Sequence, residues 1–402
     1  MSLANNIEFL RQLPKSDEIK GPGSMPRGLR RRGSRLGEVT GFGSNPGELR
    51  MFLFAPSELP KTPALVVVLH GCTQTAAGYD FGAGWSALAE RYSFVLLMPE
   101  QKSLNNANGC FNWFQPQDTA RDSGEACSIR QMIERTLRDF GIDHGRIFIT
   151  GLSAGGAMTS VMLATYPEIF AGGAIIAGLP YGIASNVQEA LRGMFQSPSR
   201  AAGELGDLVR KASKHKGKWP KLSVWHGSAD RTVNPSNADE IVKQWLDVHG
   251  LPAKPMSEAT VDGYPRQVWW NADGETVIES YTITNMPHGT PLGVAANDER
   301  YGAEGAFLID AGISSSYHIA KFFGLTERIR LPKLVAEPVS EPIPEPIAVT
   351  AAVPDRPAPA AVAARVHATA KHHPRRQRAT GMRAIIIRAL AAVGLIKIGG
   401  AS

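Results

Sequence analysis

The chain has 402 residues, 43% of them hydrophobic and 20% charged, which is close to an ordinary globular protein carrying extensions. Three cysteines exclude a disulfide scaffold. The net charge of +6 belongs to the ends: residues 1–50 carry +4, residues 331–402 carry +6, and the stretch between them is −4, which gives no support to a nucleic-acid partner for the middle of the chain.

Residues 1–47 are expected to form a mobile Gly/Arg-rich arm. Met1 to Ile19 lacks a continuous apolar core and contains Glu8, Arg11, Lys15 and Asp17, so it does not match a secretory signal peptide. Asn6 to Leu13 has the pattern of a short amphipathic helix. Arg27, Arg30, Arg31, Arg32 and Arg35 then fall among Gly and Ser, the composition of a solvated arm.

A folded domain is expected over residues 48–330. Apolar runs of strand length recur at Leu65–Leu69, Phe94–Met98, Arg146–Thr150, Gly173–Ala177, Leu222–Trp225 and Val277–Thr284, with helix-like stretches between them. Such alternation implies an α/β fold with a mostly parallel, buried sheet. Leu65–Leu69 runs into His70-Gly71-Cys72-Thr73-Gln74, where a glycine lets backbone N–H groups turn inward. Cys127 falls in a helix-like stretch and is expected in the core.

Ile147–Thr150 runs into Gly151-Leu152-Ser153-Ala154-Gly155, followed by a helix-forming stretch from Gly156 to Tyr166. This is G-x-S-x-G in a strand–turn–helix context, which marks Ser153 as a nucleophile on a sharp turn and the fold as α/β-hydrolase. A serine hydroxyl needs a base, and the base needs an orienting acid, expected in the order Ser, Asp or Glu, His. Asp230 follows the strand Leu222–Trp225 and precedes a helix from about Ser236. His288 follows the alternating stretch Glu275–Thr284, in a loop beyond a strand end. Asp262 and Asp273 each sit beside Gly in hairpin-like turns, His249 and His318 on helices, and packing or hydrogen bonding accounts for His226. The backbone amides of Ala154, next after the nucleophile, and Cys72 are the expected oxyanion donors.

After Pro332 the composition shifts. Residues 331–370 form a Pro/Ala-rich linker in which Glu337-Pro338, Glu341-Pro342 and Glu345-Pro346 repeat. Residues 371–402 form a basic, partly apolar tail whose apolar run is interrupted by Arg383, Arg388 and Lys397. That run falls short of a membrane span. A weak association with a membrane or granule surface is one reading of it. A weakly ordered tail is the other. His372 and His373 lie in a basic run and make a poor metal site.

Taken together, His70-Gly-Cys-Thr-Gln-Thr75, Met98-Pro-Glu-Gln101, Gly109-Cys-Phe-Asn-Trp-Phe114, Gly151-Leu-Ser-Ala-Gly-Gly156 and His226-Gly-Ser-Ala-Asp-Arg-Thr-Val233 resemble the PHB depolymerase family of esterases. These are α/β-hydrolases related to feruloyl and acetylxylan esterases. The resemblance implies hydrolysis of carboxylic esters, with poly(3-hydroxybutyrate) or short hydroxyalkanoate oligomers as substrates. It also implies a Cys72–Cys110 bridge, Trp113 and Phe114 near the ester site, and chemistry that needs no metal or organic cofactor. One departure is that Gly289 and Thr290 follow His288 where the family usually has an aromatic. A feruloyl or acetylxylan esterase, and a non-catalytic scaffold or surface-binding protein, are the competing readings. The family is commonly extracellular, whereas the N-terminus shows no signal peptide. Compartment and oligomeric state stay open at this level.

Overall fold

The computed structural model describes residues 34–327. The expected amphipathic and Arg-rich start, the linker and the basic tail fall in residues 1–33 and 328–402 and lie outside the described residues.

A ten-stranded sheet organises the molecule. Its strands are β1 (Gly37–Val39), β2 (Arg50–Phe54), β3 (Leu65–Leu69), β4 (Val95–Glu100), β5 (Ile147–Leu152), β6 (Gly172–Ile176), β7 (Lys221–Gly227), β8 (Ser257–Val261), β9 (Tyr264–Trp270) and β10 (Thr276–Ile283). They lie in the order β1-β2-β4-β3-β5-β6-β7-β10-β9-β8. The six strands from β4 to β10 in that order run parallel, while β1, β2, β9 and β8 pair antiparallel at the two edges. A separate pair, β11 (Thr290–Leu292) and β12 (Leu308–Asp310), forms a small parallel ribbon.

The central parallel strands β3 and β5 are almost wholly apolar because both faces are covered. All five residues of β3 and all six of β5 are buried. Alternate side chains go to opposite faces: Leu65, Val67 and Leu69 enter one core, Val66 and Val68 the other. Helices α1 (Ala76–Ala83), α2 (Trp85–Tyr92), α3 (Pro116–Thr119), α4 (Gly124–Phe140), α5 (Ala154–Thr165), α6 (Val187–Gln196), α7 (Ala202–Ala212), α8 (Ser236–His249) and α9 (Ser315–Phe322) supply the cover. Every residue of α5 is buried, which explains its small and apolar sequence. α4 and α8 each stop at a left-handed glycine, Gly141 and Gly250.

The start of the chain departs from expectation. Residues 37–39 form an edge strand on β2, Leu36 and Phe42 are buried, and the Gly47 N–H donates to Ser128 Oγ on α4 at 2.8 Å. Glycine density suggests an arm, but here it serves close approach. A Cβ on Gly47 would come within 2.5 Å of Glu125 Cα. The described fold therefore begins before residue 48.

Candidate active site

The three expected catalytic residues lie at the C-terminal ends of neighbouring parallel strands. Ser153 follows β5, Asp230 follows β7, and His288 follows β10, with β6 between the first two. Ser153 sits at φ 57° and ψ −116°, outside the regions an L-residue prefers. Its N–H donates to Ile176 O on β6 at 2.9 Å, which fixes the turn against the sheet. The flanking glycines are required by contact. A Cβ on Gly151 would come within 2.4 Å of Gly155 O, and one on Gly155 within 2.4 Å of Leu69 O. Small residues thus let α5 start directly against the end of β3.

The loops after β7 and β10 are stitched together. Ser228 N–H donates to Ile283 O, Ala229 N–H to Met286 O, and Asn285 N–H to Ser228 Oγ. This brings His288 onto Asp230, with His288 Nδ1 2.7 Å from Asp230 Oδ2. Oδ1 accepts from the N–H groups of Thr232 and Val233 at 2.8 and 2.9 Å. Burial alone would raise the Asp230 carboxyl, but hydrogen bonds from His226 and His288 outweigh it and hold the group well below the usual carboxylate range. Asp230 is therefore ionised at neutral pH. Because Asp230 can only accept, His288 Nδ1 carries the proton and Nε2 is left as a base. Among the described residues, no protein group accepts from or donates to the Ser153 hydroxyl.

The two expected oxyanion donors are also brought to this end of the sheet. Ala154 opens α5, where first-turn N–H groups have no helical acceptor. Cys72 lies in the turn beyond β3. Neither amide donates to a protein acceptor among the described residues. The turn is held from several sides. His70 is fully buried, its Nδ1 donating to Gly71 O at 2.8 Å and its Nε2 accepting from Gln101 N–H at 3.2 Å. Burial holds this imidazole below its ordinary value, so it is a neutral anchor. The Cys72 and Cys110 sulfurs lie at bonding distance, 2.12 Å, with their Cα atoms 4.3 Å apart. Beneath that bridge Glu125 accepts hydrogen bonds from the Asn112 backbone N–H and from the side chains of Asn112 and Gln101. Burial and the neighbouring Asp118 charge push its carboxyl up to about 8. Cys127 is a buried free thiol on α4, as expected of a core residue.

Trp113 is buried in the core, and Phe114 is partly buried and edge-on to it at 5.3 Å. Both therefore have packing partners. Asp262 and Asp273 occupy the β8–β9 and β9–β10 turns, with Asp262 also accepting from His318 Nε2 at 2.8 Å.

Two contacts are not specified by the sequence. His226 Nε2 lies 3.1 Å from the same Asp230 oxygen that His288 contacts. Phe307, just before β12, sets its ring edge-on to His288 at 5.8 Å between centroids and holds a φ of 63°. It supplies the aromatic neighbour that Gly289 and Thr290 cannot. Gln74 links the two sides, accepting from Gly71 N–H at 2.9 Å and donating to Ala306 O at 3.2 Å. His226 lies four residues before Asp230, a spacing open to inspection. Nothing in the sequence pairs position 307 with 288.

Comparison with known proteins identifies the family of the chain. The family model described as "Esterase PHB depolymerase" matches residues 49–260. Poly(3-hydroxyalkanoate) depolymerase C of Paucimonas lemoignei is 46% identical over 291 residues, covering 72% of this chain and 70% of that protein. Feruloyl esterase B of Neurospora crassa is 34% identical over 270 residues, covering 64% and 88%. Acetylxylan esterase of Coprinopsis cinerea is 31% identical over 264 residues, covering 64% and 70%. Among solved structures, an acetyl xylan esterase from Aspergillus awamori superposes with a TM-score of 0.61 at 24% identity, over 72% of this chain and 99% of its own, which bears on the fold. The chain thus belongs to the PHB depolymerase esterase family and is a carboxylic ester hydrolase of the serine-hydrolase class.

Proposed function

We propose that the protein hydrolyses hydroxyalkanoate esters, poly(3-hydroxybutyrate) or its short oligomers, by a Ser153–His288–Asp230 triad. His288 Nε2 takes the proton of Ser153 Oγ as the oxygen attacks the ester carbonyl. Asp230 orients the imidazole and stabilises its charged form. The N–H groups of Cys72 and Ala154 receive the negative charge that develops on the carbonyl oxygen. Loss of one such donor typically costs about 3–4 kcal/mol of transition-state stabilisation. His288 then protonates the leaving alcohol. Water, deprotonated by the same imidazole, attacks the acyl-enzyme and releases the acid.

The observation that carries the mechanism is the 2.7 Å contact between His288 Nδ1 and an Asp230 carboxylate held ionised, at the C-terminal end of the parallel strands where Ser153 occupies its strained turn. The substrate class rests on the 46% identity to a polyhydroxyalkanoate depolymerase, against 31% and 34% to the acetylxylan and feruloyl esterases quoted above. The Cys72–Cys110 bridge fits this reading, because it fastens the turn that offers one oxyanion donor.

Ser153→Ala is expected to abolish turnover of p-nitrophenyl butyrate while the protein stays folded, and retained turnover would refute the mechanism. A panel of polyhydroxybutyrate, hydroxybutyrate oligomers and methyl ferulate tests the substrate. Faster hydrolysis of the ferulate than of the oligomers would overturn that assignment.

A further inference from the structure

We propose that His226 is a positioning residue for the reaction, a second histidine that shares Asp230 with His288 and sets the pH at which the base becomes free. The inference rests on the triad reading above. Its geometric ground is the way the Asp230 carboxylate is shared out. Oδ1 takes two backbone N–H groups, and Oδ2 takes His288 Nδ1 at 2.7 Å and His226 Nε2 at 3.1 Å. His226 Nε2 is also 3.0 Å from Val233 O. Both its neighbours are acceptors, so this nitrogen carries the proton and is shared between them. The opposite nitrogen, Nδ1, is buried with no partner. Only one edge of the ring is used, and that edge faces the carboxylate.

Two consequences follow. His226 spans Asp230 and Val233, so it braces the tight turn from which the carboxylate reaches His288. It also competes with His288 for the same oxygen. Charge that Oδ2 gives to His226 is withheld from the imidazolium that forms on His288 during the reaction. Removing the His226 donor gives Asp230 more charge to present to His288, which holds the protonated imidazole more tightly. The enzyme then loses its free base at a higher pH. Of the other ionisable groups, Arg231 is next to Asp230 in the chain, and Asp239 on α8 has Glu240 and Lys243 as its own charged neighbours. Asp239 is the one that senses His226 directly, and its carboxyl is raised, first by burial and then by the charge of Glu240.

Two substitutions separate bracing from mere filling of space. His226→Phe keeps the ring and removes both nitrogens. His226→Gln places an amide N–H near the position of Nε2. The pH profile of kcat/KM for p-nitrophenyl butyrate is measured for both and for the unaltered enzyme, together with labelling of Ser153 by a fluorophosphonate. His226→Phe is expected to lower kcat/KM about tenfold, mostly in kcat, and to move the acid limb to higher pH by about half a unit or more. His226→Gln is expected to restore the limb and most of the rate. If His226→Phe does not fold, His226→Asn, whose amide stops short of Oδ2, takes its place with the same expected shift. An acid limb that stays in place in the donor-less variant, or moves equally in His226→Gln, overturns the proposal while Ser153 still labels. If Ser153 fails to label in the unaltered enzyme, the triad reading falls and this proposal falls with it.

Discussion

At Ser153 the backbone stores strain where the chemistry is expected. A residue held at φ 57° and ψ −116° costs on the order of 1–3 kcal/mol and persists because its surroundings over-determine it. Here those surroundings are the Ile176 carbonyl, the contact at Gly155 and the start of α5. Glycine tolerates such angles, so Ser153→Gly is expected to be inactive yet more stable than Ser153→Ala, which keeps the Cβ. The extra entropy of glycine in the unfolded chain offsets part of the gain. A net rise in Tm of about 2–4 °C is expected, as about 1 kcal/mol gives in a domain of this size. Equal or lower Tm in the glycine variant would show that the turn is unstrained. Ser153, Asp230 and His288 are legible in the sequence as the proposed triad because each lies in a loop behind a strand-like run, in a fixed order. Hydrogen bonding by His226 is legible too, but its partner Asp230 is not, because a histidine beside a strand end has many bland explanations. Phe307 is not legible, because the contact with His288 is made by folding the β11–β12 ribbon back, which no local pattern encodes.

Elements differ in how openly the sequence declares them. The central parallel strands are doubly covered and stand out as apolar runs, β10 shows instead as an alternation, and all six expected stretches coincide with β3, β4, β5, β6, β7 and β10 to within two residues at each end. The edge strands carry no such signal. β8 is almost wholly exposed and reads Ser-Glu-Ala-Thr-Val, with no apolar face to betray it. The strand β1 is three residues long in a glycine-rich stretch. The turn after β3 shows how an element without regular structure is held: by His70, by Gln74, and by the Cys72–Cys110 link from the loop after β4. A bridge across 38 residues constrains the unfolded chain by about 4 kcal/mol in the loop-entropy model. Cys110→Ser is therefore expected to lower unfolding free energy by up to that amount. It should also reduce kcat more than KM, because the Cys72 amide is proposed to act on charge that develops only in the transition state. The His70 and Glu125 networks should keep the variant folded. Denaturant titration with and without reductant measures the first effect and steady-state kinetics the second. Non-reducing peptide maps of natively isolated enzyme that show Cys72 and Cys110 as free thiols would exclude the bridge.

The whole molecule joins two kinds of sheet, and the junction bears on the site. His288 hangs from β10, which is parallel to β7 on one side and antiparallel to β9 on the other. Across this seam Trp225 of β7 stacks on Tyr281 of β10 at 3.8 Å between centroids. On the same seam Glu279 of β10 accepts from Ser223 Oγ at 2.7 Å and from Arg266 of β9 at 2.7–2.8 Å. The Glu279 side chain is only 2% exposed, so its charge depends on Arg266. Burial raises the Glu279 carboxyl, and the Arg266 charge and the hydrogen bonds oppose that rise. Arg266→Met removes the opposition and leaves a buried acid without a counter-ion. Breaking such a pair typically costs about 3–5 kcal/mol, and the partial exposure of Arg266 places the expected loss at the lower end. The loss must depend on pH. In the variant the folded protein holds a proton on Glu279 that the unfolded chain releases above its ordinary carboxyl value. Stability is then retained at low pH and falls as pH rises through the window between the unfolded and the raised folded value. Denaturant titrations at pH 5 and pH 8 are therefore expected to show a larger deficit at pH 8. The double variant Arg266→Met with Glu279→Gln should lose that difference between the two pH values. An equal deficit at both would mean that the Arg266 stem packs the seam and that its charge does not hold it.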